Sequence, residues 1–96
     1  MNGKEIPPPP EGTINQDDFN AYMKVIVDAL QVHYDRERVR QGLWKDYEAK
    51  DQVNSIKIKV DRVIRSIELG IEGREKNIEE ELLDVINYAV FAIRQL

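Results

Sequence analysis

The residues best suited to chemistry are acidic side chains set into an apolar stretch near the C-terminus. Glu81 and Asp84 are three residues apart, and Glu80 and Asp84 are four apart, so a helix would place either pair on one face. Asn87 and Tyr88 would continue that face by one turn. Asp84 needs a particular explanation, because leucine, valine and isoleucine flank it and a carboxylate in apolar surroundings is costly without a partner.

Two kinds of partner could satisfy Asp84. The first is a divalent cation such as Mg²⁺, which prefers hard oxygen ligands and could use Glu80, Glu81 and Asp84. The second is a basic side chain, and Lys59 and Arg62 stand three residues apart in the preceding segment. A salt bridge to either of them would make Asp84 a structural residue. The residue types and their spacing leave both alternatives open.

The segment 44–47, Trp-Lys-Asp-Tyr, is the second candidate for a binding role. Trp44 and Tyr47 could cap a pocket and stack on a nucleotide base, or they could close the open end of a small bundle. The single histidine, His33, has no cysteine and no clear serine partner, so a nucleophilic triad is not indicated. No glycine-rich phosphate loop is present. Phosphate would therefore have to be bound by lysine or arginine side chains or by a metal.

The elements that must position these residues are predicted to be helices, so the fold class is all-α. A first helix should begin near Thr13 to Asn15, because Asn15 and Asp18 resemble a capping pair, and it should end at Gly42. Its apolar residues recur at intervals of three and four and predict a buried face: Phe19, Tyr22, Met23, Ile26, Leu30 and His33. Residues 43–53 are interpreted as a connector that can include a short helical turn.

A second helix is predicted from Asn54 or Ser55 to Gly70, and its apolar stripe contains Ile56, Val60, Val63, Ile64 and Ile67. A third helix is predicted from Asn77 to about Gln95, with Asn77 as its cap. This third helix is apolar nearly all round, which predicts a place at the centre of the fold or of an oligomer. The expected architecture is a three- to four-helix bundle, completed by homo-oligomerisation because so small a chain buries little surface.

Length and composition limit the range of functions. The 96 residues, 42% hydrophobic and 33% charged, fit one helical domain at 13–96 behind a flexible proline-rich leader at 1–12. Within that leader, the four prolines at 7–10 are interpreted as a stiff polyproline II stretch, with docking to an aromatic groove as the alternative. A net charge of −4 argues against a duplex nucleic acid partner, and without cysteine there is no disulfide or thiolate site. With no signal peptide or membrane-spanning segment, we expect a cytoplasmic protein with no membrane partner.

Three motifs, taken in order, resemble those of MazG-like all-α nucleoside triphosphate pyrophosphohydrolases. They resemble more closely the small phage and bacterial helical proteins grouped as nucleotide modification associated domains. The motifs are Lys45-Asp46-Tyr47, Lys59-x-x-Arg62 and Asp84-x-x-Asn87-Tyr88, the last within an acidic stretch that begins at Glu80. The resemblance covers residues 43–96.

The resemblance implies a nucleotide-linked function that uses Mg²⁺. MazG-like enzymes cleave nucleoside triphosphates between the α- and β-phosphates, with magnesium held by helix carboxylates. Glu81 and Asp84 match the acidic pair, and Lys59 and Arg62 match a basic pair that could hold phosphates. The remaining candidates for substrate binding are Trp44, Tyr47, Asn87 and Tyr88. The second helix lacks the Glu-x-x-Glu pair that these enzymes also carry, so nucleotide binding without turnover, or a site completed by a second subunit, fits equally well.

Two functions outside nucleotide chemistry also fit the pattern. One is a non-catalytic, phage-type interaction or inhibitor protein, which predicts that Asp84 pairs with Arg62 and that no cavity is present. The other is a structural helical oligomer with the third helix as its seam. A nucleotide function predicts instead that the basic pair and the acidic pair converge on one pocket.

Overall fold

The computed structural model describes residues 11–12 and 15–96, and the chain is all-α over these residues, as predicted. The elements are α1 (Gln16–Arg40), a 3₁₀ turn (Leu43–Asp46), α2 (Ala49–Leu69) and α3 (Glu75–Arg94). No described helix is both long enough and apolar enough to cross a membrane. The leader predicted over 1–12 lies outside the described residues, apart from its last two.

α1 begins where its capping pair predicted, directly after Asn15. Asn15 has extended backbone, and its side-chain oxygen accepts a hydrogen bond of 2.8 Å from the Asp18 amide. This bond satisfies one of the amides that a helix start leaves without a partner. The helix ends at Arg40, because Gln41 and Gly42 both take the left-handed backbone conformation that stops an α-helix.

The start of α2 differs from the prediction by several residues. The helix begins at Ala49 and not at Asn54, because the Asp51 carboxylate accepts a 3.0 Å hydrogen bond from the amide of Glu48, the residue at the N-cap. Caps are recognised chiefly from serine, threonine, asparagine and aspartate, so a glutamate in that place gives little signal. The end of α2 is as predicted, with Gly70 in the left-handed conformation.

The third helix occupies the centre of the fold. α3 packs against both other helices, and α2 lies along it more extensively than α1 does, which agrees with its all-round apolar sequence. It begins at Glu75 after Arg74, whose side chain makes no capping hydrogen bond. The predicted cap at Asn77 is therefore wrong, because Asn77 lies inside the first turn.

The core between the helices is small. The buried apolar side chains of the described residues are Ala29, Val63, Leu83 and Ala92. Tyr22, Ile26 and Leu30, predicted to be buried on α1, are each more than one third exposed. In a single copy of the chain, the prediction of a buried stripe along α1 is therefore wrong, since only Ala29 of that helix reaches the core.

Candidate functional site

Asp84 lies in the core and is held by two cations. Only 6% of its surface is exposed. Arg36 of α1 forms an ion pair with Oδ1, and Nζ of Lys59 on α2 lies 2.9 Å from Oδ2. One carboxylate of α3 therefore ties all three helices together. Because each of its oxygens accepts a charge-assisted hydrogen bond, the cost of removing it from water is offset.

Glu81, one turn earlier on α3, extends this network. The Lys59 Nζ lies 3.4 Å from its Oε2, and the Arg62 Nη1 lies 3.8 Å from its Oε1. Of the two basic partners considered for Asp84, Lys59 is the one that it contacts, whereas Arg62 lies near Glu81. Arg36 was missed, because it lies 48 residues from Asp84 in the chain and its charged neighbours are typical of an exposed helix end.

The magnesium site predicted on Glu80, Glu81 and Asp84 does not fit this arrangement. Within 11–12 and 15–96, no three acidic, histidine or cysteine side chains are placed to share a metal ion. Glu81 and Asp84 are engaged by cationic side chains, and Glu80 is exposed. An ion would have to displace Lys59 before it could use both carboxylates. We therefore derive no chemistry through magnesium, and this site stays a prediction from the sequence.

A cleft of about 410 Å³ lies between α1, the 3₁₀ turn, α2 and α3, and we call it the aromatic cleft. The aromatic side chains that line it are His33, Trp44, Tyr47, Tyr88 and Phe91. Its polar lining includes Arg36, Arg40, Gln52, Ser55 and Asn87. The volume lies in the range of small-molecule sites, which are mostly apolar with a few convergent polar groups.

Trp44 forms a fixed wall of the aromatic cleft. Its ring stacks on Phe91 with 4.8 Å between centroids and 12° between planes, and the Arg94 guanidinium lies 4.8 Å from its centroid. This contact supports the interpretation that Trp44 closes one end of the bundle. Tyr47 is different, since it is 50% exposed and forms no ring pair within the described residues. Tyr47 is therefore available to stack on a ligand.

Two glutamines hold the 3₁₀ turn in place. Gln52, only 3% exposed, donates a 3.1 Å hydrogen bond to the Trp44 carbonyl. Gln95 donates 2.9 Å hydrogen bonds to the carbonyls of Lys45 and Tyr47. Both residues were missed by sequence reasoning, because one was assigned to a connector and the other to a helix end. They fix the backbone that carries the two aromatic side chains.

Asn87 has a structural role as well as a place in the cleft. Its Nδ2 donates a 2.9 Å hydrogen bond to the Ala29 carbonyl, which joins α3 to α1. Among the described residues, no side chain or backbone amide donates to its Oδ1, which can accept a hydrogen bond. Asn87 and Tyr88 were both predicted to bind a substrate; both line the aromatic cleft, and their role in binding stays a prediction.

A second cleft, of about 460 Å³, lies between the C-terminal half of α2 and the start of α3. We call it the arginine cleft, after Arg36, Arg62, Arg65 and Arg74, which line it. Arg36 and Asp84 border both clefts. The predicted site residues are thus divided. Arg62, Glu80 and Glu81 line the arginine cleft, and Trp44, Tyr47, Asn87 and Tyr88 line the aromatic cleft, whereas Asp84 borders both and Lys59 lines neither.

No protein-family model, curated protein or solved structure matches this chain. The MazG-like resemblance therefore stays a prediction that rests on three short motifs.

Proposed function

We propose that this protein is a nucleotide-binding helical domain whose aromatic cleft holds the base. The observation that carries this proposal is the exposed Tyr47 ring beside a preformed cleft of about 410 Å³. Base stacking on an aromatic side chain is worth about 1–3 kcal/mol. The ring of Trp44 in the 3₁₀ turn stacks on the ring of Phe91 in α3, and this contact supports one wall of the cleft.

The polar lining suits the edges of a nucleobase. Ser55 carries a hydroxyl that can donate or accept a hydrogen bond. Asn87 uses Nδ2 for its contact with α1, and its Oδ1 can accept a hydrogen bond from a ligand. Arg40 also lines the cleft and takes part in no ion pair within the described residues. A ring with hydrogen-bonding edges is the ligand class that this combination fits best.

We propose binding without hydrolysis as the primary activity. Pyrophosphohydrolysis of the MazG type needs carboxylates that are available to a metal, and here Lys59 lies between Glu81 and Asp84. A carboxylate that already accepts from lysine or arginine is a poorer ligand, because the ion must first displace that cation. The geometry favours a protein that recognises a nucleotide over one that cleaves it.

The only tryptophan of the chain gives a direct test, because Trp44 lines the proposed site. Nucleosides should change its fluorescence on binding, and calorimetry should give the dissociation constant. Tyr47→Ala should weaken binding by about tenfold or more, the loss of one base-stacking contact. Tyr34→Ala is the matched control, since Tyr34 is equally exposed and does not line the cleft.

Two outcomes would contradict the proposal. If neither nucleosides nor nucleotides change the fluorescence or give heat at millimolar concentration, the aromatic cleft is not a base site. If nucleoside triphosphates release pyrophosphate only when Mg²⁺ is present, and Glu81→Gln stops that release, the protein is an enzyme of the MazG type after all.

We also propose that the chain self-associates through α1. Tyr22, Ile26 and Leu30 recur at four-residue intervals and therefore share one helix face, and all three are exposed in the single chain. The apolar core of the described residues consists of four side chains, two of them alanine. So small a core favours burial of further apolar surface by a second copy.

Light scattering across a range of concentrations tests self-association. The mass should rise from one chain to two as concentration increases, and Ile26→Glu should raise the dissociation constant by at least about tenfold, because it buries an unpaired charge. Val39→Glu is the control, since Val39 is exposed on α1 away from that face. A molar mass equal to that of one chain at every concentration would contradict self-association.

A further inference from the structure

The charged side chains of the two clefts are distributed unequally. The arginine cleft is lined by four arginines and by the carboxylates of Glu80, Glu81 and Asp84. The aromatic cleft has only Arg36 and Arg40 against Glu37, Asp51 and Asp84. An anionic group is therefore better matched to the arginine cleft than to the aromatic cleft.

The cations of the arginine cleft are not all used by its carboxylates. Arg65 and Arg74 take part in no ion pair within the part of the chain that the structure describes. Arg62 lies 3.8 Å from Glu81, a long separation, and its side chain is mostly exposed. Three guanidinium groups can thus turn toward a ligand, and guanidinium matches phosphate oxygens in pairs.

The start of α3 adds to this preference for an anion. Arg74 and Asn77 border the cleft, and Arg74 precedes the helix without a capping hydrogen bond from its side chain. The first amides of a helix carry partial positive charge. The N-terminus of α3 therefore adds positive potential to the cleft that the arginines line.

Arg36 connects the two clefts. It lines both, and its ion pair with Asp84 uses Nη1. A guanidinium group has five N–H donors, and the Arg36 side chain is 38% exposed. Arg36 can therefore keep Asp84 as a partner and still donate to a ligand bound where the two clefts adjoin.

We propose that the arginine cleft binds the phosphate groups of the nucleotide whose base lies in the aromatic cleft. This assignment rests on the proposed function and adds the class of ligand, a nucleoside di- or triphosphate. Arg65 and Arg74 hold the terminal phosphates, and Arg36 lies between phosphate and base. A nucleoside triphosphate should therefore bind more tightly than its nucleoside.

Calorimetry of the full chain with three probes tests this assignment: a nucleoside, its triphosphate and inorganic tripolyphosphate. The double variant Arg65→Gln/Arg74→Gln should raise the dissociation constants of tripolyphosphate and of the triphosphate by about tenfold or more, because charge-assisted contacts are lost. Its affinity for the nucleoside should be unchanged. Tyr47→Ala should have the opposite pattern: it should lower the affinity for the nucleoside and leave the affinity for tripolyphosphate unchanged.

The control for charge is Arg38→Gln/Lys57→Gln, which removes two exposed cations that do not line either cleft. It should leave the affinity for all three probes within about twofold at fixed salt. Tripolyphosphate that fails to bind, or that binds the arginine variant as tightly as the original chain, would overturn the phosphate assignment. A nucleoside that fails to bind would overturn the base site instead, so the two failures are distinguishable.

Discussion

Replacing Asp84 by alanine will lower the free energy of unfolding by about 2–4 kcal/mol, the largest effect that we expect from one carboxylate. The substitution leaves Arg36 and Lys59 without the anion that both of them contact. Removing one partner of a buried ion pair costs about 3–5 kcal/mol in general. The value here is lower because Arg36 and Lys59 are 38% and 16% exposed, so water reaches the stranded cations.

Urea unfolding followed by circular dichroism measures this change, and Glu80→Ala is the matched control. Glu80 is exposed on the same helix and forms no ion pair within the described residues, so its loss should change stability by less than about 0.5 kcal/mol. A double-mutant cycle of Asp84→Ala with Lys59→Met should give a coupling of about 1 kcal/mol or more. Equal stabilities for the Asp84 and Glu80 variants would show that the ion-pair network is not structural.

The ion-pair network also explains why one residue was identified correctly from sequence and its main partner was not. An aspartate flanked by leucine, valine and isoleucine predicts a costly burial, and the structure confirms it. Lys59 was among the candidates because it forms a basic pair with Arg62 on one face of the second helix. Arg36 lies in a charged segment whose pattern is that of a solvated helix end. Only the crossing of α1 and α3 brings Arg36 to Asp84, and local spacing contains no information on that crossing.

Helix ends were predicted correctly where a standard capping residue occupies the cap position, whereas Asn77, a residue of the same kind, lies inside the first turn of α3. Asn15 and Gly70 fixed one start and one end, because their side chains or backbone suit those positions and few others. The starts of α2 and α3 were displaced, since Glu48 and Arg74 are unusual caps. The displacement affected the site, because Gln52 lies in the segment that had been assigned to a connector.

Burial was the least predictable property. Periodicity on α1 indicated an apolar face, and that face exists, but it is exposed in the single chain at Tyr22, Ile26 and Leu30. A stripe of apolar residues indicates that one face of the helix is buried, but it does not identify the surface that packs on that face. This is the physical reason why the same pattern supports either an intramolecular core or the self-association that we propose.

The second large effect should come from Trp44→Ala, which we expect to lower stability by about 2–3 kcal/mol. Truncating a fully buried tryptophan costs about 3–5 kcal/mol, and Trp44 is partly exposed. The variant loses the stacked contact with Phe91 and the cation contact with Arg94, which add to the loss of buried area. Chemical denaturation followed by circular dichroism is the measurement, because the variant has no tryptophan left to observe.

Two further variants separate the wall of the cleft from its ligand contact. Trp44→Phe should retain most of the stack on Phe91 and cost about 1 kcal/mol. Tyr47→Ala should cost less than that, because Tyr47 is half exposed and makes no ring pair within the described residues, yet it should lose nucleoside binding. If Tyr47→Ala instead destabilises the fold as much as Trp44→Ala does, both aromatic side chains close the bundle, and the aromatic cleft loses the side chain on which a base would stack.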